Sequence, residues 1–409
     1  MAKKFDIPLI YKSSIIARVK ESNQILDPMK KDLKPSVLDF GAVRFIVPRH
    51  FGFCYGVENA IDIAYRSVEQ NPDKNIYLLS EMIHNPTVNK DLQKRGVRFL
   101  FETGGKEIIP ISSLIKDDIV IVPAFGTTVE IQKKLSARGI DAYQYDTTCP
   151  FVVKVWKRGR QLGKKGNSLV IHGKHKHEET RATFSHTSEK APAVVVLNPE
   201  EAQILADIML ERRPLEDFEQ HFGNKSTADF NPLADLEKFG VINQTTMLAS
   251  ETREVMEILK QAAIEKHGEA EVQEHFADTA DTLCYATNEN QSATFGLLKE
   301  EADLALVVGG YNSSNTMHLV ELLESKFATY HIRDASEIKS DDEIHHFNQW
   351  DKEIKQSHDW LSQSKTPLTI AITSGASCPD ALVDEVILKV VSYLDECREV
   401  EEALAPFGD

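Results

Sequence analysis

Three cysteines recur at matching places along this chain, and they limit the fold more than any other feature. Cys54 lies in Phe51-Gly52-Phe53-Cys54-Tyr55-Gly56, after the apolar run Val43–Pro48. Val57, Ala60, Ile61, Ala64 and Val68 follow it with helical spacing. Cys149 follows the strand-like Ile140–Tyr145 within Asp146-Thr147-Thr148-Cys149-Pro150, ahead of a helical run through Val152, Val155, Trp156, Gly159 and Leu162. Cys284 follows His275–Asp278 and precedes a run through Ala293, Leu297, Leu298 and Ala302. Each helical run then leads to a short strand, Ile76–Leu79, Ser168–His172 or Leu304–Gly309, beginning 22, 19 and 20 residues after its cysteine. This is a repeat of three α/β units with one cysteine apiece.

The predicted strands end in polar clusters. The first strand of each unit ends in His84-Asn85, in His175–Glu179, or in Asn312-Ser313-Ser314-Asn315. A second helix and strand end in Pro123–Thr128, Asn243–Met247 and Thr373–Ser377. Open parallel sheets place ligands at strand ends, so the pattern predicts three cysteines and six polar strand ends around one centre. A cysteine at a helix start also feels the positive end of the helix dipole, which favours thiolate, the form that ligates metal or attacks as a nucleophile.

The repeat assigns the 409 residues. Residues 1–41 form an extension, predicted to pack peripherally through Ile7, Leu9, Ile10, Ile15 and Ile16. Its acidic residues Asp6, Glu21, Asp27, Asp32 and Asp39 do not suit a transit peptide. The domains are expected at 55–149, 150–283 and 284–397. The second carries an insertion near 200–238, read as helical; the third carries one near 336–364, read as solvated helix. The third unit lacks the closing strand that precedes a cysteine in the other two. Residues 43–54 can supply it and close a ring of three. A net charge of −16 argues against nonspecific nucleic-acid binding and against docking on an anionic membrane. Five widely spread cysteines do not form a disulfide framework, so a reducing cytoplasm is the expected setting. No apolar run approaches the length of a membrane span.

Three convergent thiolates suit an iron–sulfur cluster or a zinc ion. On a four-iron cluster they leave one iron open, as a catalytic metal requires. Cys378 and Cys397 are read as structural and peripheral thiols. The strand ends are poor in Lys and Arg. Their hydroxyls, amides and helix N-termini can bind a phosphate-type anion, and Ser313-Ser314-Asn315 and Gly375-Ala376-Ser377 are well placed for it. Glu179, an acid at a strand end, is a proton-donor candidate. Two rivals remain at this point. A zinc hydrolase built on His172, His175 and His177 leaves the cysteines idle. A non-enzymatic iron–sulfur sensor leaves the phosphate-type strand ends unexplained.

The motifs Gly52-Phe53-Cys54-x-Gly56-Val57, His84-Asn85, Thr148-Cys149-Pro150, His177-x-Glu179, Gln244-Thr245-Thr246, Cys284-Tyr285-Ala286-Thr287, Asn312–Asn315 and Gly375-Ala376-Ser377-x-Pro379-Asp380 run in order from about Phe45 to Tyr393. Together the set resembles the 4-hydroxy-3-methylbut-2-enyl diphosphate reductase family, in its longer cyanobacterial and plastid-like branch. The resemblance implies an α/β trefoil of three pseudo-threefold-related units around a 4Fe-4S cluster. It implies that Cys54, Cys149 and Cys284 ligate the cluster, whose open iron would bind the substrate's allylic hydroxyl. It further implies that His84, His177, Ser313, Asn315 and Ser377 hold the diphosphate, with Ser314 close by. Glu179 would deliver protons, Thr245 would position the hydroxyl and relay them, and Thr246 would line the pocket. The implied donor is a small ferredoxin or flavodoxin. The chain departs from many family members at Phe125, where they carry a His; that diphosphate contact is expected to be lost, or to be replaced by Thr127 or Thr128.

Overall fold

A computed structural model of the chain describes residues 5–277, 279, 282–361 and 367–408. Asp278, used in the repeat above, lies outside the described residues, as do 362–364 of the second insertion. The chain divides into two compact units: Met1–Glu58, His84–Lys90 and Tyr285–Asp409 form the first, and Asn59–Ile83 and Asp91–Cys284 form the second. Among the described residues no helix is long and apolar enough to cross a membrane.

In the first unit a five-stranded sheet has the order Ser36–Asp39, Val43–Val47, Leu368–Ser374, Leu304–Val308, Thr329–Ile332. Only the pairing of Ser36–Asp39 with Val43–Val47 is antiparallel. Side chains alternate across a strand, and here both faces are buried. Leu304, Leu306 and Val308 enter one core with Phe45, Ile370 and Ile372, while Ala305 and Val307 enter another with Ile46 and Ala371. Burial on both faces explains the unbroken apolar runs of these strands. Val43 pairs with Leu368 and Ala371 with Ile46, so the segment leading to Cys54 is a parallel neighbour of the last strand.

The second unit holds two parallel sheets. One has the order Arg98–Phe99, Ile76–Leu78, Ile119–Ile121. The other has the order Ala193–Val196, Ser168–His172, Phe239–Asn243, Phe276–Ala277. Helices begin where the cysteine repeat requires them, at Tyr55–Gln70, Pro150–Lys164 and Tyr285–Leu297. The insertion near 200–238 is helical, with Pro199–Met209, Glu216–Phe222 and Pro232–Asp235.

Three expectations are corrected. Residues 140–145 form turns rather than a strand, because the Asp141 carboxylate accepts the Tyr143 N–H and bends the backbone locally. A single parallel bridge, Val122 to Asp146, is all that remains of the pairing. The insertion near 336–364 is a β-hairpin, Ile344–Asn348 against Glu353–Ser357, rather than solvated helix. Asn348 accepts the N–H groups of Trp350 and Asp351, and Lys352 takes a φ of 58° to complete the reversal. In the extension, Leu9 and Ile10 are 80% and 58% exposed; Tyr11, Ile15, Ile16 and Val19 carry the packing.

One side chain anchors the start of the helix in the extension. Asp384, buried in helix Asp380–Val391, accepts hydrogen bonds from Ser13 Oγ at 2.7 Å and from the backbone N–H groups of Ser14, Ile15 and Ile16 at 2.8, 2.9 and 3.0 Å. These donors belong to the first turn of helix Ile15–Leu26, which its own residues leave unpaired. Asp384→Ala should therefore lower the unfolding free energy by about 2–3 kcal/mol in urea titrations. It should also open the extension to limited proteolysis before the rest of the chain.

Candidate active site

The second unit brings four of the chemistry-bearing side chains together at the ends of its strands. His177 caps helix Glu178–Ser188, and its Nδ1 accepts the Glu179 N–H at 3.2 Å. Nδ1 therefore carries the lone pair, and Nε2 carries the proton in the neutral ring. Glu179 is 2% exposed. Its Oε1 accepts the Thr245 backbone N–H at 2.6 Å and its Oε2 accepts the Thr245 hydroxyl at 3.0 Å. The Thr245 carbonyl in turn accepts the Cys284 N–H at 3.1 Å. Thr245 thus joins the carboxylate to the cysteine loop through its own backbone.

Cys149 occupies the N-cap position of helix Pro150–Lys164, and its N–H donates to the Ala124 carbonyl at 2.9 Å. Burial pushes the Cys149 thiol up to about 11, and the nearby charges of Cys284 and Glu179 push the same way. The N–H groups of Phe151 and Val152 act in the opposite direction. The helix start alone therefore does not produce a thiolate. Gln244 organises the loop beside it: its Oε1 accepts from the Lys174 N–H and the Thr180 hydroxyl, and its Nε2 donates to Thr246 Oγ1.

Phe125 packs edge-on against the His177 ring, with centroids 5.7 Å apart. Thr128 caps helix Val129–Ala137 through the Ile131 N–H, and the buried Thr127 presents its carbonyl to His186.

In the first unit Cys54 sits on a loop tied to the neighbouring strand end. Its N–H donates to the Ala376 carbonyl at 3.3 Å, and the Gly52 N–H donates to Ser374. Ser313 caps helix Ser314–Glu324 and lies 3.5 Å from Ser377, hydroxyl to hydroxyl. Asn315 Oδ1 accepts the Ala376 N–H at 2.9 Å, while its buried Nδ2 has no hydrogen-bond partner among the described residues. An unpaired amide donor beside two hydroxyls at a helix N-terminus is an acceptor-seeking arrangement. His84 is buried in the same unit. Its carbonyl lies so close to Gly310 that any Cβ there would collide with it.

The sequence-predicted residues thus fall into two groups. Cys54, His84, Ser313, Ser314, Asn315 and Ser377 belong to the first unit, and Cys149, His177, Glu179, Thr245, Thr246 and Cys284 to the second. Gln244 and Phe125 were quoted in motifs, yet their structural roles went unread, because hydrogen bonds and ring contacts over long sequence separations leave no periodic signal.

The profile of the family described as LytB protein matches residues 45–391. The chain belongs to the LytB family. It is similar to the curated 4-hydroxy-3-methylbut-2-enyl diphosphate reductase of Trichormus variabilis, with 38% identity over 93% of this chain and 89% of that one. It resembles the reductase of the same name from Synechocystis, with 36% identity over 96% of this chain and 97% of that one. Among solved structures, the fold matches the Plasmodium falciparum E-1-hydroxy-2-methyl-but-2-enyl-4-diphosphate reductase with a TM-score of 0.61 and 20% identity, covering 85% of this chain and 87% of that one. These relatives make the chain an oxidoreductase of the LytB family with the α/β fold of those enzymes. All twelve site residues lie inside the matched span.

The donor set suits the iron–sulfur cluster this family implies. No disulfide joins the five cysteines. A thiol held as high as Cys149 needs a cation to become a ligand, and a bound iron deprotonates a coordinating thiol outright.

The turn before helix Ser314–Glu324 is braced from below. His331 is fully buried, and its Nε2 lies 3.1 Å from the Gly309 carbonyl. Carbonyls only accept, so Nε2 carries the proton. Burial holds His331 down to about 4. At pH above 6.5 the ring is neutral in both folded and unfolded chains. Between 6.5 and 4 only the unfolded chain binds the proton, so stability falls as pH falls, by at most about 1.4 kcal/mol per pH unit. Urea midpoints measured from pH 7 to pH 4.5 should show a shallower decline in His331→Gln than in the parent chain.

Proposed function

We propose that this chain catalyses the reductive dehydroxylation of (E)-4-hydroxy-3-methylbut-2-enyl diphosphate to isopentenyl and dimethylallyl diphosphate, the last step of the methylerythritol phosphate route to isoprenoids. Cys54, Cys149 and Cys284 hold a 4Fe-4S cluster in this reading, in which three α/β domains span 55–149, 150–283 and 284–397. When bound, the cluster supplies single electrons and an open iron with Lewis acidity.

The chain's own residues do the rest. His84, His177, Ser313, Asn315 and Ser377, with Ser314 beside them, bind the diphosphate through neutral donors and helix N-termini. This anchors the substrate at a group that does not react. Thr246 lines the pocket. Thr245 orients the allylic hydroxyl and passes it a proton held by Glu179. The overall balance is two electrons and two protons in, one water out; the second proton goes to either end of the allylic carbon chain and yields the two products. A ferredoxin or flavodoxin class donor supplies the electrons, and the cytoplasm is the expected compartment.

The observation that carries this reading is the grip of Thr245 on Glu179. Both carboxylate oxygens are held, one by a backbone N–H and one by a hydroxyl, in a buried position. The Thr245 hydroxyl is thereby in direct hydrogen bond with the acid, as a proton relay requires. Glu179→Gln keeps the shape and removes the exchangeable acid. It should retain the brown cluster and bind the allylic diphosphate, seen as a substrate-dependent shift in the anaerobic visible spectrum. It should lose turnover by about 10²–10⁴-fold. Turnover near that of the parent chain would remove Glu179 from the mechanism.

A further inference from the structure

A second group of ligand-type side chains lies in the Asn59–Ile83 and Asp91–Cys284 unit, away from the cysteine loops. His267 ends helix Ala249–His267, His275 ends helix Val272–His275, and Glu237 precedes strand Phe239–Asn243. One ligand atom from each lies within 4.8 Å of the others. We propose that His267, His275 and Glu237 form a binding site for a zinc-class divalent transition metal.

The protonation pattern favours this. His275 Nδ1 is 2.6 Å from the Glu237 carbonyl, so that nitrogen donates and Nε2 keeps the lone pair. This is the carbonyl-backed imidazole that metal sites use to fix a tautomer. His267 Nε2 is buried and has no hydrogen-bond partner among the described residues; the nearest charge is Glu237 Oε2 at 3.8 Å. A buried ring nitrogen without a hydrogen bond carries a desolvation cost that a metal bond would remove. The two rings stack at 3.6 Å with an interplanar angle of 4°, so one ring must turn before both lone pairs can meet at one metal.

Two imidazoles and a carboxylate form a set that zinc accepts with water in the fourth position. The nitrogen donors disfavour calcium and magnesium. Ligands around a tetrahedral zinc stand roughly 3.3 Å apart, so closure needs a shift of at most about 1.5 Å beside the turn of a ring. The Glu237 side chain is half-exposed and able to make that shift. It now pairs with Lys266 Nζ, an ammonium that an incoming cation would displace. The site binds the starting ends of two paired strands, since Phe239 pairs with Phe276. The far end of the first strand runs into Gln244 and Thr245. A metal here would stabilise the sheet without touching the acid.

The test is anaerobic calorimetric titration of the cluster-loaded chain with zinc chloride alone, with visible absorption followed in parallel. The expected result is one zinc per chain with cluster absorption unchanged. Affinity should weaken about tenfold or more in His267→Gln and in His275→Gln. Lys266→Ala should bind zinc more tightly, a gain that misfolding cannot imitate. Absence of zinc binding, affinity in either histidine variant equal to that of the parent chain, weaker binding in Lys266→Ala, or loss of cluster absorption in step with zinc uptake would each overturn the proposal.

Discussion

The register of the parallel strands is the constraint on which the rest depends. Val308 pairs with Ser374, so the turns that follow these residues, Gly309–Ser313 and Gly375–Ser377, leave the sheet side by side. Likewise His172 pairs with Asn243, which sets the loop ending in Glu179 beside Gln244-Thr245-Thr246. A slip of one residue would send every side chain to the opposite face. Apolar residues on both faces make that slip costly: Ala305 and Val307 enter a different core from Leu304, Leu306 and Val308. The Glu179 to Thr245 hydrogen bonds and the Ser313 to Ser377 contact are consequences of register, and neither needs a long-range device of its own.

Close packing at the strand ends then selects the residue types. Gly310 approaches the His84 carbonyl too closely for a Cβ. With backbones this near, the donors available to an anion are short side chains and N–H groups. Ser313, Asn315 and Ser377 of the first unit are such short side chains. A phosphate-type ligand can be held there by oriented dipoles at helix starts.

The cysteine repeat, the helices after each cysteine and the polar strand ends were legible in the sequence because helical and alternating patterns are local. So was the pairing of Glu179 with the Gln244–Thr246 loop as members of one set, though not its atoms. What was missed is non-local or competes with local pattern. Residues 140–145 look like a strand until Asp141 accepts a nearby N–H. The 344–357 hairpin was hidden by its charge, since exposed strands and exposed helices share a polar composition. Leu9 and Ile10 are apolar by type but exposed, whereas Tyr11 and Val19 are buried; which face of the extension packs is decided by the distant Asp384. The burial that raises the Cys149 thiol is likewise invisible in sequence, where only the helix start can be seen.

The extension also reaches the cysteine loop. Lys20 Nζ donates to the Phe51 carbonyl at 2.8 Å and to Asp380 at 2.6 Å, and it lies over the Phe51 ring. Gly52, with a φ of 76°, passes directly beneath that ion pair, where a side chain would collide with Asp380. Cys54 follows two residues later and is held on its other side by the Ala376 carbonyl. The loop is thus clamped between a charged pair supplied partly by the extension and the strand end that carries Ser377. An ammonium bonded to both a carbonyl and a carboxylate is stronger than an ordinary surface pair. The extension therefore limits where the cysteine loop can go, through Lys20 and through the rings of Phe5 against Tyr55 and Tyr11 against Phe53.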